Sequence, residues 1–220
     1  MRMKIEPLRH LQYQLSNATI KKWPFPHFFI EDAFPNDFYK HFRSTLPHNT
    51  SYKQGAGNYN GRVFADPVSD GTLSFFHHPD FLRSVVNAFE PGFHARFPTG
   101  HFTPKIDLRL VLDSQNYAIG PHTDARWKIV SLLFYLPEDY ALERLGTAVY
   151  VPKDPDFRCE GGPHHRFDDF EPVYRAPFRP NSCFGFFKTD NSFHGVPPIT
   201  IPCRRDVLLW NLYQADMMPH

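Results

Sequence analysis

Three side chains in this sequence have the types and spacing of a metal site with open coordination positions. His122 and Asp124 stand two residues apart in Gly120-Pro-His-Thr-Asp124, and His194 follows far downstream. If the backbone at His122 is extended, residues two apart project to the same side. Two imidazoles and one carboxylate on one face of a metal leave about three adjacent positions free. The three residues therefore predict a centre that performs chemistry rather than one that only holds the fold.

The His-x-Asp pattern needs this wider context because it occurs twice. With 13 His in 220 residues, about one chance occurrence is expected. The other copy, His78-Pro-Asp80, stands where the pattern predicts the start of a helix. An acid in the first helical turn complements the helix dipole, so we assign Asp80 to that role and His122 and Asp124 to the metal.

The ligand set suits two kinds of metal chemistry. Two His and one carboxylate with open positions are the arrangement associated with non-haem iron(II) oxygenases. The same ligands also suit zinc, so a zinc hydrolase is an alternative. The sequence has no His-Glu-x-x-His motif, which disfavours that alternative.

A basic residue on the last predicted strand is the candidate anchor for an acidic ligand. Period-two geometry in 204–210 places Arg204 on the same face as Trp210 and Arg205 on the opposite face. We expect Arg204 to point inward and Arg205 to be an exposed charge; if the side-chain parity is shifted by one residue, Arg205 takes the inward place. A buried guanidinium needs a carboxylate or phosphate partner, which a dicarboxylate co-substrate supplies.

The elements that must position these side chains are mostly short strands. Apolar and β-branched residues alternate with polar ones in segments that end at Pro, Gly or Asn. Two earlier segments have apolar residues at helical spacing, before Pro47 and before Pro91. We predict helices over 36–46 and 79–89, and strands over 25–34, 106–112, 128–136, 147–151, 182–188 and 206–213.

This order predicts a mainly β, α+β fold: an antiparallel jelly roll or barrel with N-terminal helices packed on it. We expect one domain over 1–220, with support in 1–103 and the β core in 104–220. A turn-rich segment is expected over 54–61. The polar segment 152–180 exceeds ordinary loop lengths and is predicted to cover the site, while the adjacent His164 and His165 are expected to be solvated.

Composition and charge disfavour two classes of partner, nucleic acids and membranes. Lys+Arg 24 against Asp+Glu 23 give a net charge of +1, so no nucleic-acid partner is expected. No apolar run approaches the roughly 20 residues of a membrane span, so no membrane partner is expected. The start lacks the apolar core of a secretory signal, and three cysteines suggest no disulfide framework, so a cytoplasmic location is expected. Nothing indicates the oligomeric state.

The residues together resemble the iron(II) and 2-oxoglutarate dependent oxygenases, especially the group that is similar to prolyl hydroxylases. The resemblance covers about the last half of the chain. It rests on His122-Thr-Asp124, the strand Val130-Ser-Leu-Leu-Phe-Tyr-Leu136, His194-Gly195, and Arg204 placed ahead of Trp210. It implies a double-stranded β-helix of the cupin-like jelly-roll type.

The resemblance also implies a catalytic site. By this likeness, Fe(II) would be held by His122, Asp124 and His194, and Arg204 would form a salt bridge to the far carboxylate of 2-oxoglutarate. Tyr135 would donate its hydroxyl to that carboxylate, and Tyr117 would lie near the co-substrate.

The implied activity is that of a hydroxylase which consumes O₂ and 2-oxoglutarate and releases succinate and CO₂. The presence of Asp124 favours hydroxylation over halogenation, because halogenating relatives lack the carboxylate. The substrate is a small molecule or an amino-acid side chain, free or on a peptide. A second alternative is a non-enzymatic, cupin-like binding module that holds an acidic ligand at Arg204.

Overall fold

A computed structural model describes residues 6–55, 59–66 and 71–219. Within these ranges the chain forms four α-helices and ten β-strands. The helices are α1 (Pro7–Ser16), α2 (Asn36–Ser44), α3 (Pro79–Ala88) and α4 (Glu90–Arg96). The strands are β1 (His27–Ile30), β2 (Arg62–Ala65), β3 (Pro104–Asp113), β4 (Ile119–His122), β5 (Lys128–Tyr135), β6 (Ala148–Pro152), β7 (Phe170–Arg175), β8 (Ser182–Phe187), β9 (His194–Val196) and β10 (Arg205–Gln214).

The strands form two antiparallel sheets. The larger sheet has the order β1-β8-β5-β10-β3-β2, and the smaller has the order β4-β9-β6-β7. Non-consecutive neighbours such as β4 and β9 show that the chain crosses repeatedly between the sheets. This arrangement confirms the predicted fold class, a mainly β jelly roll of the double-stranded β-helix type with supporting helices.

The main hydrophobic core lies between the helices and the larger sheet. Alternate residues of β10 point to this side, and Leu208 and Trp210 are fully buried there. The Trp210 indole packs edge-on against Phe81 of α3, and its Nε1–H donates to the Phe76 carbonyl. The helices therefore cover one face of the larger sheet.

A second core lies between the two sheets. Val207 of β10 and Phe184 and Phe186 of β8 point to this side, where they meet Val149 of β6. Phe25, Tyr135, Ala176 and Phe178 complete this cluster of buried residues. The other face of the larger sheet is thus directed toward the smaller sheet, and polar residues near this core form the site described below.

Both predicted helices and all six predicted strands are present, but several elements were not predicted. Helix α2 begins at Asn36, as predicted, and Pro35 precedes it. Helix α1 buries Leu8, Leu11 and Leu15, which recur at steps of three and four. Helix α4 and strands β2, β4, β7 and β9 were also missed.

The prediction that 152–180 is a long irregular loop is wrong. Strand β7 lies within this segment and pairs with β6. The part of 152–180 without regular strand is therefore shorter than expected. The turn-rich segment expected over 54–61 includes residues 56–58, which lie outside the described residues. Among the residues that the structure describes, no helix combines the length and the apolar character needed to span a bilayer.

Candidate metal centre

The pairing of β4 with β9 brings two distant histidines together. His122 ends β4 and His194 begins β9, and the two residues are direct partners across the antiparallel pair. Their ring centroids are 4.4 Å apart. Residues opposite each other on neighbouring strands have side chains on the same face, so the register itself forms this part of the site.

Asp124 completes the cluster. One ligand atom from each of Asp124, His122 and His194 can be chosen so that all three lie within 4.8 Å of one another. The Asp124 carboxylate accepts hydrogen bonds from Lys128 Nζ at 2.9 Å and from Ser131 Oγ at 3.0 Å. Both donors belong to β5, in which Lys128 is the first residue. The larger sheet therefore fixes the Asp124 carboxylate, and the smaller sheet supplies the two histidines.

The hydrogen bonds of the two imidazoles leave one nitrogen of each available to a metal. His122 Nδ1 lies 2.9 Å from the Gly120 carbonyl oxygen, and His194 Nδ1 lies 3.0 Å from that of Ser192. Because a carbonyl oxygen only accepts, each Nδ1 carries the hydrogen. The Nε2 lone pairs therefore remain for ligation, as in most histidine metal sites.

Electrostatics favour the protonation states that a metal requires. Burial lowers the pKa of both imidazoles, that of His122 well below its usual range, so both are neutral at pH 7. Burial alone would raise the pKa of Asp124, but Lys128 and the two histidines lower it below its usual range. Neutral imidazoles and an ionised carboxylate are competent ligands without further loss of a proton.

A cavity of about 100 Å³ adjoins the three residues and runs between the sheets. Its wall combines apolar side chains from the larger sheet with polar and charged groups. The lining residues that matter below are Arg62, Tyr117, His122, Asp124, Lys128, Ser131, Leu133, Thr147, Phe186, His194, Arg205, Val207 and Leu209.

Arg205 provides a buried cation in this cavity. Its side chain is 1% exposed and forms an ion pair with Asp113, which is fully buried. Its Nε donates to the Leu145 carbonyl, whereas its Nη2 has only a long contact of 3.5 Å to Thr147 Oγ1. Nη2 is therefore the group with donor capacity left for a ligand in the cavity.

A second arginine shares the same carboxylate. Arg62 and Arg205 are both cross-strand partners of Asp113, one on β2 and the other on β10. Arg62 Nε and Nη2 donate to the two Asp113 oxygens at 2.5 and 2.8 Å. The register of three adjacent strands thus places one buried carboxylate between two guanidinium groups.

The predicted inward direction of Arg204 is wrong. Arg204 shares a face with Asp206 and Trp210, as expected, but that face is directed toward the helices and not toward the cavity. Its guanidinium pairs with Asp206 and reaches Asn49 and the Pro47 carbonyl, with 41% of the side chain exposed. The alternative parity, with Arg205 inward, is the one that the structure has.

The two tyrosines of the predicted site differ in position. Tyr135 is fully buried and its hydroxyl oxygen accepts the Thr147 N–H at 3.1 Å, near Arg205 but outside the cavity lining. Tyr117 lines the cavity, and its hydroxyl has no partner among the described residues. Sequence analysis missed Arg62, Asp113 and Lys128, since no local motif marks them.

The loop before β7 lies against the ligand residues. Thr123 Oγ1 donates to the Cys159 carbonyl, and the His165 N–H donates to the Pro121 carbonyl. The His164 ring, expected to be solvated, is exposed, but its centroid is also 4.6 Å from that of His122. His164 therefore stands at the open side of the candidate metal centre.

No protein-family model matches the sequence, and no curated protein matches it. The structure is similar to that of a Pseudomonas putida prolyl-4-hydroxylase, with a TM-score of 0.56, 12% identity, and coverage of 95% of this chain and 99% of that chain.

Two further solved structures show the same likeness. A Trichoplax adhaerens prolyl hydroxylase in complex with a peptide fragment of the hypoxia inducible factor oxygen degradation domain has a TM-score of 0.55 and 12% identity, with coverage of 95% and 90%. HygX from Streptomyces hygroscopicus, with nickel, 2-oxoglutarate and hygromycin B bound, has a TM-score of 0.54 and 12% identity, with coverage of 93% and 86%. This chain therefore has the fold of the prolyl hydroxylases and related 2-oxoglutarate dependent oxygenases.

Proposed function

We propose that this protein is an Fe(II)- and 2-oxoglutarate-dependent dioxygenase, one domain over 1–220, that hydroxylates a small molecule or an amino-acid side chain. The observation that carries the proposal is the convergence of His122, Asp124 and His194 on one cavity that also contains Arg205. Each of these four side chains, taken alone, has an ordinary structural explanation. Together they supply a metal ligand set and a carboxylate anchor within one small space.

The donor set fits the metal. His122, Asp124 and His194 would hold it through two neutral imidazole nitrogens and one carboxylate oxygen, which is the ligand set associated with non-haem iron(II) and leaves positions open. The chemistry that bound iron supplies in such proteins is the use of O₂ to oxidise a substrate, with 2-oxoglutarate converted to succinate and CO₂. Lys128 and Ser131 orient the Asp124 carboxylate through their hydrogen bonds.

The rest of the cavity fits a dicarboxylate. Arg205 would bind the far carboxylate through Nη2, at the end of the cavity where Thr147 also lies. Leu133, Val207 and Leu209 line the cavity and exclude water from it. A guanidinium in such dry surroundings binds a carboxylate more strongly than it would in water.

The test measures metal and co-substrate binding before activity. We expect anaerobic protein to bind Fe(II) and then 2-oxoglutarate, and to form succinate slowly when O₂ is added. Asp124→Asn should weaken metal binding at least tenfold, about 1.4 kcal/mol, because an amide is a poorer ligand than a carboxylate. Asp80→Asn, in the other His-x-Asp pair, is the matched control and should bind metal like the wild type.

Three outcomes contradict the proposal. Equal metal affinity in the two variants would remove Asp124 from the site. Retention of zinc with no affinity for 2-oxoglutarate would favour the hydrolase. Affinity for 2-oxoglutarate that a chelator leaves unchanged would favour a binding module without metal chemistry.

A further inference from the structure

The cavity has one cation that the proposed co-substrate does not account for. Arg62, Lys128 and Arg205 all line it, but only two carboxylates pair with them: Asp124 with Lys128, and Asp113 shared by the two arginines. Asp107, which also acts electrostatically on Lys128, is paired with Arg109 at 2.9 Å. One positive charge is therefore in excess. A divalent metal and a dicarboxylate add no net charge, so the excess persists when both are bound.

Of the two arginines that share Asp113, Arg62 is the more accessible. Arg205 is 1% exposed, whereas the Arg62 side chain is 14% exposed. The hydrogen bonds of Arg62 use Nε and Nη2, and among the described residues Nη1 has no partner. Electrostatic neighbours of Arg62 include Tyr59 and His164. Arg62 therefore lies on the side of the cavity where the exposed His164 stands beside His122.

A second unpaired donor lies against this guanidinium. The Arg62 guanidinium carbon is 4.1 Å from the centroid of the Tyr117 ring, so the tyrosine fixes its plane. Tyr117 is fully buried and lines the cavity, yet its hydroxyl has no hydrogen-bond partner among the residues described. An unpaired buried hydroxyl destabilises the fold, and a bound ligand that accepts its hydrogen bond would remove this cost. Burial raises the pKa of Tyr117, so the hydroxyl keeps its proton and can donate it.

We propose that Arg62 and Tyr117 form the receptor for a carboxylate group of the primary substrate, next to the candidate metal centre. The substrate class is thus an organic acid. The rings of Tyr59 and His164, whose centroids are 5.6 Å apart, lie near Arg62. This inference rests on the proposed function, which assigns Arg205 to 2-oxoglutarate and leaves Arg62 for the substrate.

The test uses full-length protein loaded with Ni(II), which does not support turnover, and 2-oxoglutarate. The probes are benzoate, phenylacetate and indole-3-acetate, each paired with its primary amide and observed by saturation-transfer NMR. We expect the acids to bind at least fivefold more tightly than their amides, because a neutral amide cannot balance the excess positive charge of the cavity.

Two variants and two controls assign the binding to these residues. Tyr117→Phe removes only the unpaired hydroxyl, so it should keep the wild-type melting temperature and weaken acid binding at least fivefold. Arg62→Gln should weaken acid binding as strongly, but it also leaves Asp113 with one partner and so destabilises the fold. Tyr140→Phe and Arg9→Gln, which change exposed side chains away from the cavity, should bind the acids like the wild type.

The inference is overturned if acids and amides bind alike, if neither binds at millimolar concentration, or if Tyr117→Phe binds acids like the wild type. It is also overturned if the acids displace 2-oxoglutarate, since Arg62 would then belong to the co-substrate end. Failure of the proposed function has a different signature: 2-oxoglutarate itself does not bind to the Ni(II) protein. In that case the same acid and amide titrations, made without 2-oxoglutarate, still decide the role of Arg62.

Discussion

Arg204 and Arg205 are neighbours in the chain, yet their guanidinium groups lie on opposite faces of β10. Arg204 is partly exposed and satisfied by Asp206 and the Pro47 carbonyl. Arg205 is buried, shares Asp113 with Arg62, and lines the cavity. The pair forms a natural control, since the same substitution can be made at two adjacent positions on opposite faces of one strand.

We expect Arg205→Lys to weaken 2-oxoglutarate binding at least tenfold and Arg204→Lys to change it less than twofold. Lysine keeps the positive charge but lacks the planar guanidinium group. It therefore cannot donate to Asp113 and to the carboxylate of 2-oxoglutarate at the same time in the geometry of arginine. The measurement is calorimetric titration of Ni(II)-loaded protein with 2-oxoglutarate. A larger loss in Arg204→Lys than in Arg205→Lys would contradict the assignment of the anchor.

At this scale the sequence identifies the side chains whose signal is local. His122 and Asp124 are two apart on one segment, and their convergence needs only an extended backbone. The role of Arg205 depends on strand parity, which a single strand with adjacent arginines does not settle. Arg62 and Asp113 could not be predicted as a pair, because their contact depends on the register of β2 against β3.

At the scale of the element, β10 serves two environments at once. One face carries Leu208 and Trp210 into the core beneath the helices, and the other carries Arg205, Val207 and Leu209 to the cavity. The period of two along a strand separates the residues that stabilise the fold from those that form the site. A change on the helix side should therefore alter stability without altering binding.

Trp210→Phe tests this separation. The change removes the Nε1–H that satisfies the buried Phe76 carbonyl and leaves unfilled volume beside Phe81. We expect a loss of about 1–3 kcal/mol in the free energy of unfolding, measured with urea, and an unchanged dissociation constant for 2-oxoglutarate.

Trp23→Phe is the control for this change, because Trp23 is 67% exposed and should tolerate substitution within about 0.5 kcal/mol. A loss of 2-oxoglutarate affinity in folded Trp210→Phe would show that the two faces of β10 are not independent.

The elements that the sequence predicts correctly are those with a clear period and a clear stop. Helix α3 has an apolar stripe between Pro79 and Pro91, and in β3 leucine or isoleucine recurs at every second position from Ile106 to Leu112. Strand β7 was missed because Phe170–Arg175 is largely exposed and contains Pro172, which removes a backbone donor. Strand β9 has only three residues, too few to show any period.

At the scale of the whole molecule, the free energy of unfolding depends on a buried histidine, His27, that is neutral in the folded state. His27 is 1% exposed; its Nδ1–H donates to the Phe25 carbonyl at 2.8 Å, and its Nε2 is buried with no partner in the described part of the chain. Burial lowers the pKa of His27, and the nearby Lys21 lowers it further, although the Phe25 carbonyl opposes this shift. The other titratable side chain against the ring is Tyr174.

Acid should therefore destabilise the fold in part through His27. In the unfolded chain a histidine has a pKa near 6.5, so below that pH the unfolded state binds a proton that the folded state refuses. The stability conferred by a neutral His27 is fully present above about pH 6.5 and decreases as the pH falls toward the lowered pKa of the folded state.

His27→Asn keeps a donor for the Phe25 carbonyl but does not titrate. Between pH 7 and pH 5 its free energy of unfolding should therefore fall less steeply than that of the wild type. The two slopes should differ by up to about 1.4 kcal/mol per pH unit. His94→Asn, at a side chain 74% exposed, should keep the wild-type slope. Urea unfolding across this pH range measures all three slopes, and a wild-type slope in His27→Asn would show that other groups carry the acid sensitivity.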